Sequence, residues 1–317
     1  MQIDFTVAIP TYNGAKRFPL VLERLRSQIN LDQINWEIIV IDNNSTDDTA
    51  KAVQDYQSNW SQNCSLNYYF EPQQGLAFAR QRAVEEANGT FVGFLDDDNL
   101  PAPNWVSAAF RFGQAHPTAG AYGGQIRADY EVEPTTSVEY VQNLLVIRNY
   151  SDQPKLFEPE KLRLPPGAGL VIRKQAWIEG VPKHLVHTSG GGDDYEISLH
   201  LYKQGWEIWH NPAMQIDHRI PPWRLEKSYL TAIARTYGIC TCSLLMILTD
   251  PWQSPIVLSR SFVGSLRRVL LHLLKYREKV NTELGPACEM AFFIGNLISP
   301  FHYFKERFLR GDISKQY

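Results

Sequence analysis

FVGFLDDDN fills residues 91–99. Five apolar residues run without a charge and then meet Asp96, Asp97 and Asp98 in a row. A short apolar run closed by polar residues reads as a buried strand. Three adjacent carboxylates repel one another unless a cation or an array of donors offsets them. Hard divalent cations take carboxylate oxygens and also bridge phosphates. The plainer reading is a solvated acidic turn, or a cap for a helix from Pro101 onward. The apolar strand just before the acids favours a place at the working edge of a sheet.

The same arrangement recurs toward the N-terminus. Residues 5–10 are an apolar, β-rich run that stops at Thr11-Tyr12-Asn13-Gly14, and WEIIVI at 36–41 stops at Asp42-Asn43-Asn44-Ser45. Residues 66–70 give a third strand. Helical spacing falls between these runs at 20–29, at 46–53 with Ser45 or Thr46 as cap, and at 75–88. Strand alternating with helix predicts an α/β fold with a mostly parallel sheet and crossover helices. Ligands of such sheets sit beyond the carboxyl ends of the strands, where the three polar clusters around Thr11, Asp42 and Asp96 all fall.

Toward the C-terminus, residues 125–165 are irregular and punctuated by Pro134, Pro154, Pro159 and Pro165. GAGLVI at 167–172 resumes an apolar strand. A glycine-rich loop at 189–192 leads into Asp193-Asp194 and a helix to about 202. Glycines permit close backbone approach, and acids at a helix start are favoured by its dipole; an ordinary N-cap explains this feature equally well. Short strands are expected at 206–210 and 213–218, then helices from Pro222 to the end. Arg80 and Arg82 are candidates to steady phosphate charge, although Arg82 suits a helix surface. His218, at a strand end, is a candidate metal ligand, although a lone histidine is commonly structural.

Composition bounds the setting. At 317 residues and 44% hydrophobic content, the chain has material for a sizeable core in one large domain plus an appendage. Residues 219–317 carry 14 Lys and Arg against 7 Asp and Glu, a net of +7, whereas the first 218 carry 17 against 27, a net of −10. An acidic body with a basic tail suggests two tasks. Cys64, Cys240, Cys242 and Cys288 form no Cys-x-x-Cys pair and no zinc-finger spacing, which fits a reducing compartment. The N-terminus lacks the features of a signal peptide. No stretch of eighteen apolar residues is present, so no spanning helix is expected. A cytoplasmic protein with no nucleic-acid partner is expected.

Taken in order, VAIPTYNG, IIVIDNNSTDDT, QQGLAFARQRAVEEANGTFVGFLDDDN, LPPGAGLVIRK, GGGDDYEISLHLYKQGW and the segment around His218 resemble the family 2 glycosyltransferases of the GT-A fold, over roughly residues 5–237. The resemblance implies a Rossmann-like mixed sheet, with a catalytic domain at 1–220 divided near residue 100 into nucleotide-sugar and acceptor halves. A helical region follows at 221–317. It implies an inverting enzyme that moves a sugar from a nucleotide-diphospho-sugar to an acceptor hydroxyl. Tyr12 would stack on the base with Thr11 lining its pocket, and Asp42 and Asn43 would lie where the base is read. Many members carry an acid where this chain has Asn43. Arg80 would lie near the diphosphate, Asp96 beside it, and Asp97 toward the ribose. Asp98, as the last acid of an Asp-x-Asp arrangement, would hold Mn²⁺ or Mg²⁺, with His218 completing that site. Gly167-Ala168-Gly169 would form the acceptor-side loop. Asp193-Asp194 stands where the family has Glu-Asp, and its second acid would be the general base.

Processive members carry Gln-x-x-Arg-Trp after this region. Here Pro221-Pro222-Trp223-Arg224 stands instead, which favours single additions to a growing, lipid-linked or free, glycan. The rival readings are a nucleotidyltransferase and a catalytically inactive scaffold of the same fold. The former calls for a Gly- and basic-rich loop after the first strand, where this chain offers only Gly14, Lys16 and Arg17. Intact Asp98 and Asp194 weigh against the latter.

In the tail, Phe262, Val263, Leu266, Val269, Leu270, Leu273 and Leu274 form one apolar stripe at helical spacing, with Arg260, Arg267, Arg268 and Lys275 largely off it. The stripe is either packed on the catalytic domain or turned to an anionic membrane surface. The second reading is preferred by analogy with family members that use lipid-linked acceptors.

Overall fold

The structure, a computed structural model, describes residues 2–60, 64–134, 141–187 and 191–313, with side chains as far as 306. Strands β1 (Phe5–Thr11), β2 (Trp36–Asp42), β3 (Ser65–Phe70) and β4 (Phe91–Phe94) alternate with helices α1 (Phe18–Arg26), α2 (Thr49–Ser58) and α3 (Leu76–Glu86). Then come β5 (Asn99–Pro101), α4 (Trp105–Ala115), β6 (Ala119–Tyr130), β7 (Lys155–Leu156), β8 (Val171–Arg173), α5 (Lys174–Gly180), α6 (Asp193–Lys203) and β9 (Glu207–Ile220). They form one sheet in the order β3-β2-β1-β4-β8-β6-β9-β5, with β7 against β9. β1 pairs in parallel with β2 and β4, and β2 with β3. β8 is antiparallel to both β4 and β6. This is the mixed, mostly parallel α/β architecture that the sequence predicts.

The apolar runs follow from two-sided burial. Phe5, Val7 and Ile9 of β1 and Ile38 and Val40 of β2 join one core with Phe18, Leu22 and Trp105, while Ala8, Ile39 and Ile41 are buried as well. A strand covered on both faces has no polar alternation to keep. Glu37, inside β2, is buried too. It accepts hydrogen bonds from Thr6 Oγ1 at 2.8 Å and Asn88 N at 2.7 Å, which tie the chain after α3 back to β1 and β2.

Three local expectations are corrected. Neither Ser45 nor Thr46 caps α2, which starts at Thr49; both instead bind Asn13 across the first loop. Residues 167–170 are not strand: Gly169 has φ +73°, so the chain turns there and β8 begins at Val171. The two short strands expected around Pro212 are one strand, β9, whose register against β6 jumps from Gly123–His210 to Gln125–Gln215. The irregularity absorbs the proline.

By contacts the chain divides into two units. The first holds the sheet and its helices up to Ile220, and the second holds Pro221–Tyr317 with the described parts of Val132–Leu145 and Gly190–Gly192. Helices α7 (Lys227–Leu248), α8 (Ser254–Tyr276), α9 (Lys279–Thr282) and α10 (Leu284–Ile313) build the second unit. α7 and α10 pack backbone to backbone, since a Cβ on Gly238 would lie 2.3 Å from Phe292 O and one on Gly295 2.3 Å from Arg235 O. Among the described residues α7 is the one helix long and apolar enough, by length and composition, to cross a membrane. Counting unbroken apolar runs misses it, because polar residues such as Arg235 and Thr241 interrupt it.

Candidate active site

Three strands stop at the same edge of the sheet, and each delivers a polar loop. β1 ends on Thr11, whose Oγ1 donates to Asp97 Oδ2 at 2.7 Å. Gly14 is required there: a Cβ would fall 1.9 Å from Thr11 Oγ1 and 2.6 Å from Asp97 Oδ2. Tyr12 is 46% exposed, so its ring is open to a planar partner. β2 ends on Asp42, which is buried and accepts from Ser45 N at 2.9 Å and Tyr68 Oη at 2.8 Å.

Two expected roles change at this edge. Asn43, expected to read a base, uses both ends of its amide on the backbone. Its Nδ2 donates to Gln73 O at 2.7 Å and its Oδ1 accepts from Gly75 N at 2.7 Å, which shapes the turn into α3. Arg80, expected near a diphosphate, is only 2% exposed. Its Nη1 lies 2.5 Å from Asp193 Oδ2, its Nη2 3.6 Å from Asp96 Oδ1, and its guanidinium stands over the Phe94 ring. It braces two carboxylates rather than facing solvent. Arg82 pairs with Glu86 on the helix surface at 2.7 Å.

The acids after β4 have distinct surroundings. Asp97 is gripped by Arg17, whose Nε and Nη2 each donate to one carboxylate oxygen at 2.8 Å. That bond raises the Arg17 pKa further. Asp96 is pushed up to about 6 by burial first, with Arg80 opposing and Asp98 adding to the rise. Asp98 accepts from Asn99 Nδ2 at 2.9 Å. Antiparallel pairing of Asn99 with His218, and a bond from Arg219 N to Asp98 O, bring β9 alongside. His218 Nε2 then stands 3.7 Å from Asp98 Oδ2.

That spacing exceeds a hydrogen bond. It suits two ligands that share one cation at roughly 2.0–2.2 Å each. Among the described residues no three His, Cys, Asp or Glu side chains are grouped to hold a metal. Asp98 and His218 are thus two donors of the kind a divalent ion takes, and by themselves fewer than such an ion needs.

Opposite these acids, α6 opens with Asp193 and Asp194. Burial raises the Asp193 pKa and Arg80 opposes that rise. Asp194 Oδ2 accepts from Gly167 N at 2.6 Å and its Oδ1 from Tyr195 N at 2.8 Å. Each oxygen keeps a second lone pair. Gly167 must be glycine, since a Cβ would sit 2.1 Å from Arg80 Nη2. Ala168 is buried, and Gly169 N donates to Phe94 O at 3.0 Å, which anchors the 167–169 loop on the end of β4. Of the glycine-rich loop at 189–192, Gly191 and Gly192 have φ of +98° and +96°; Ser189 and Gly190 lie outside the described residues.

Sequence reasoning missed Arg17, Tyr68, Asn99 and Glu196. The buried Glu196 accepts from Val186 N at 2.7 Å, His187 N at 2.8 Å and His187 Nδ1 at 2.7 Å. It fixes the chain leading to the glycines. An acid two residues after Asp194, in the first turn of the same helix, was the available signal.

Comparison with known proteins identifies the family and the fold. The model of glycosyl transferase family 2 matches residues 6–178, a span that ends before Asp193. A GalNAc(5)-diNAcBac-PP-undecaprenol beta-1,3-glucosyltransferase of Campylobacter jejuni is 35% identical over 96 residues, 30% of this chain and 29% of that protein. The putative teichuronic acid biosynthesis glycosyltransferase TuaG of Bacillus subtilis is 32% identical over 94 residues, 30% of this chain and 35% of that protein. The matched region thus spans about a third or less of these relatives. The mannosyltransferase PcManGT of Pyrobaculum calidifontis, solved with GDP-Man and Mn²⁺, superposes with a TM-score of 0.60 at 19% identity, over 94% of this chain and 88% of that one. At that identity the likeness concerns the fold, which is the GT-A arrangement.

Proposed function

The chain belongs to glycosyl transferase family 2 and is a glycosyltransferase, and from that premise we propose that it moves single sugars, with inversion, from a nucleotide-diphospho-sugar to a hydroxyl of a growing glycan. Asp194 is the general base in this reading. The acceptor hydroxyl oxygen bonds to the anomeric carbon as its proton passes to Asp194. The anomeric carbon–oxygen bond breaks on the opposite side, and its electron pair leaves with the nucleoside diphosphate. Asp98 and His218 would hold Mn²⁺ or Mg²⁺, which as a Lewis acid offsets charge on the departing diphosphate. Thr11, Tyr12 and Asp42 line the base pocket, and Asp97, fixed by Arg17, shapes its ribose side. Asp96 and Asp193 share Arg80, so this buried cation ties the donor edge to the acid pair. The 167–169 loop orients Asp194 through the Gly167 amide.

The observation that carries this reading is the carboxylate of Asp194 held by two backbone amides, next to Asp193, whose partner Arg80 also reaches Asp96. General bases need that fixed aim. An acceptor on a lipid diphosphate is favoured by the Campylobacter jejuni relative, whose name carries an undecaprenol. The protein then works on the cytoplasmic side of a membrane. The test is release of nucleoside diphosphate from a panel of GDP-, UDP- and dTDP-sugars, with Mn²⁺, with Mg²⁺ and with chelator. Metal-dependent turnover of one donor class is expected. Full turnover in chelator would remove the metal, and transfer of nucleotidyl groups instead of sugar would favour a nucleotidyltransferase.

A further inference from the structure

The second unit buries several polar side chains together with apolar ones such as Leu230, Leu244 and Leu258, and leaves a row of apolar side chains exposed. Ser265 and His272 of α8 are buried, as are Asn296 and Ser299 of α10. Three of them have internal partners: His272 Nε2 lies 2.9 Å from Pro286 O, Asn296 Nδ2 donates to Phe292 O at 3.1 Å, and Ser299 Oγ donates to Ile239 O at 2.7 Å while accepting from Cys242 N at 2.8 Å. The opposite face of α8 carries Ile256, Val263, Leu270 and Leu274, spaced by seven, seven and four residues, and all are exposed, Leu274 to 72%. Leu266 and Leu273 extend this face on one flank. Phe301 of α10, exposed itself, meets Phe262 of α8 edge to face at 5.7 Å, so the aromatic end of α10 continues the surface. Trp252, just before α8, is 72% exposed.

An outer face this apolar is costly in water, since water-soluble chains scatter their exposed hydrophobics. Polar groups turned inward and paired, with Leu, Val and Phe outward, is the arrangement that lipid selects. Charge identifies the kind of lipid. α8 holds Arg260, Arg267, Arg268 and Lys275 and no acid. On a helical wheel these four fall on the side away from Leu266 and Leu273, interleaved with the exposed Leu271 and bordering the apolar face. A basic flank next to an apolar face fits the boundary between anionic headgroups and acyl chains. Tryptophan prefers the same depth.

We infer that the outer face of α8, with Trp252 and Phe301, docks in the plane of an anionic lipid bilayer. Its use in bringing the enzyme to a lipid-linked acceptor rests on the proposed transfer reaction; the docking itself does not. A second copy of the chain is the competing occupant, and the test separates the two.

The full chain is floated with vesicles of phosphatidylcholine alone and of phosphatidylcholine with phosphatidylglycerol, without donor or acceptor. The wild type floats with the anionic vesicles and only weakly with the neutral ones. Leu270→Asp/Leu274→Asp abolishes flotation, and Arg267→Glu/Arg268→Glu lowers anionic partitioning by about tenfold or more. All three proteins keep the same far-ultraviolet circular dichroism and the same affinity for nucleoside diphosphate, because the changed side chains are exposed. Wild type that stays with the bulk in both mixtures overturns the proposal. So does a lipid-free dimer that Leu270→Asp/Leu274→Asp dissociates while neither protein floats. Flotation without any sugar transfer would sink the transfer reaction and leave the docking in place.

Discussion

Arg80 Nη1 and Asp193 Oδ2 lie 2.5 Å apart, 113 residues apart in sequence, with both side chains buried. Helices α3 and α6 thus meet in a single ion pair. Removing one partner strands a buried charge. Arg80→Met and Asp193→Asn are each expected to cost about 3–5 kcal/mol of folding stability, measured by chemical denaturation. The double variant should lose clearly less than the sum of the two, because neither charge is then left alone. Additive losses would show that the pair does not act as a unit.

Gly167→Ala tests the same centre from the backbone side. The added Cβ would fall 2.1 Å from Arg80 Nη2 and 2.8 Å from its Cζ, and Arg80, buried and paired with Asp193, would have to shift. A loss of about 1–3 kcal/mol is expected, with a larger loss of transfer as Asp194 loses its hydrogen bond from Gly167 N. In an Arg80→Met background the stability loss should shrink. An alanine variant as stable and active as wild type contradicts this packing.

How much of this was legible in the sequence depends on the range of the cause. β1, β2 and β4 were readable because burial on both faces leaves an unbroken apolar run. The acids at 96–98 were readable because they end such a run. Arg17 with Asp97, and Arg80 with Asp193, join residues 80 and 113 positions apart, and no local pattern encodes such partners. Pro212 looked like a break because the bulge that carries it depends on β6. The stripe from Phe262 to Leu274 was visible, but its direction was not: the partner helix decides which face is covered, and α10 covers Ser265 and His272 rather than Leu270.

Glu196 gives the fold an acid-sensitive link. Burial pushes its pKa up, but hydrogen bonds and charge from His187, with the amides of Val186 and His187, outweigh this and hold it below the ordinary value. A carboxyl depressed in the folded state contributes stability that is present above its unfolded value, about 4.3, and is lost as pH falls through the folded one. Glu196→Gln should therefore be less stable than wild type at pH 7, and the gap should narrow below about pH 4. Thermal melts across that range check it. A gap that stays constant to pH 3 would show that the charge is not what matters.

Asp98→Ala should remove metal-dependent binding of nucleoside diphosphate and reduce transfer to background, since several kcal/mol of charge stabilisation are lost with the ion. His218→Ala should weaken Mn²⁺ affinity while leaving measurable turnover at high metal. Titration calorimetry with and without chelator reads both. Unchanged, metal-dependent binding in Asp98→Ala would move the ion elsewhere.

The central assignment is that Asp194 takes the acceptor proton. Asp194→Asn is nearly isosteric; its one side-chain oxygen keeps the bond from Gly167 N and gives up the one from Tyr195 N, a local change outside the donor edge. The most direct measurement compares sugar transfer by Asp194→Asn and wild type at saturating donor, alongside nucleoside diphosphate affinity for each. The expected result is transfer lower by about a hundredfold to ten-thousandfold with affinity unchanged. Transfer at the wild-type rate would contradict the account and place the base on another residue.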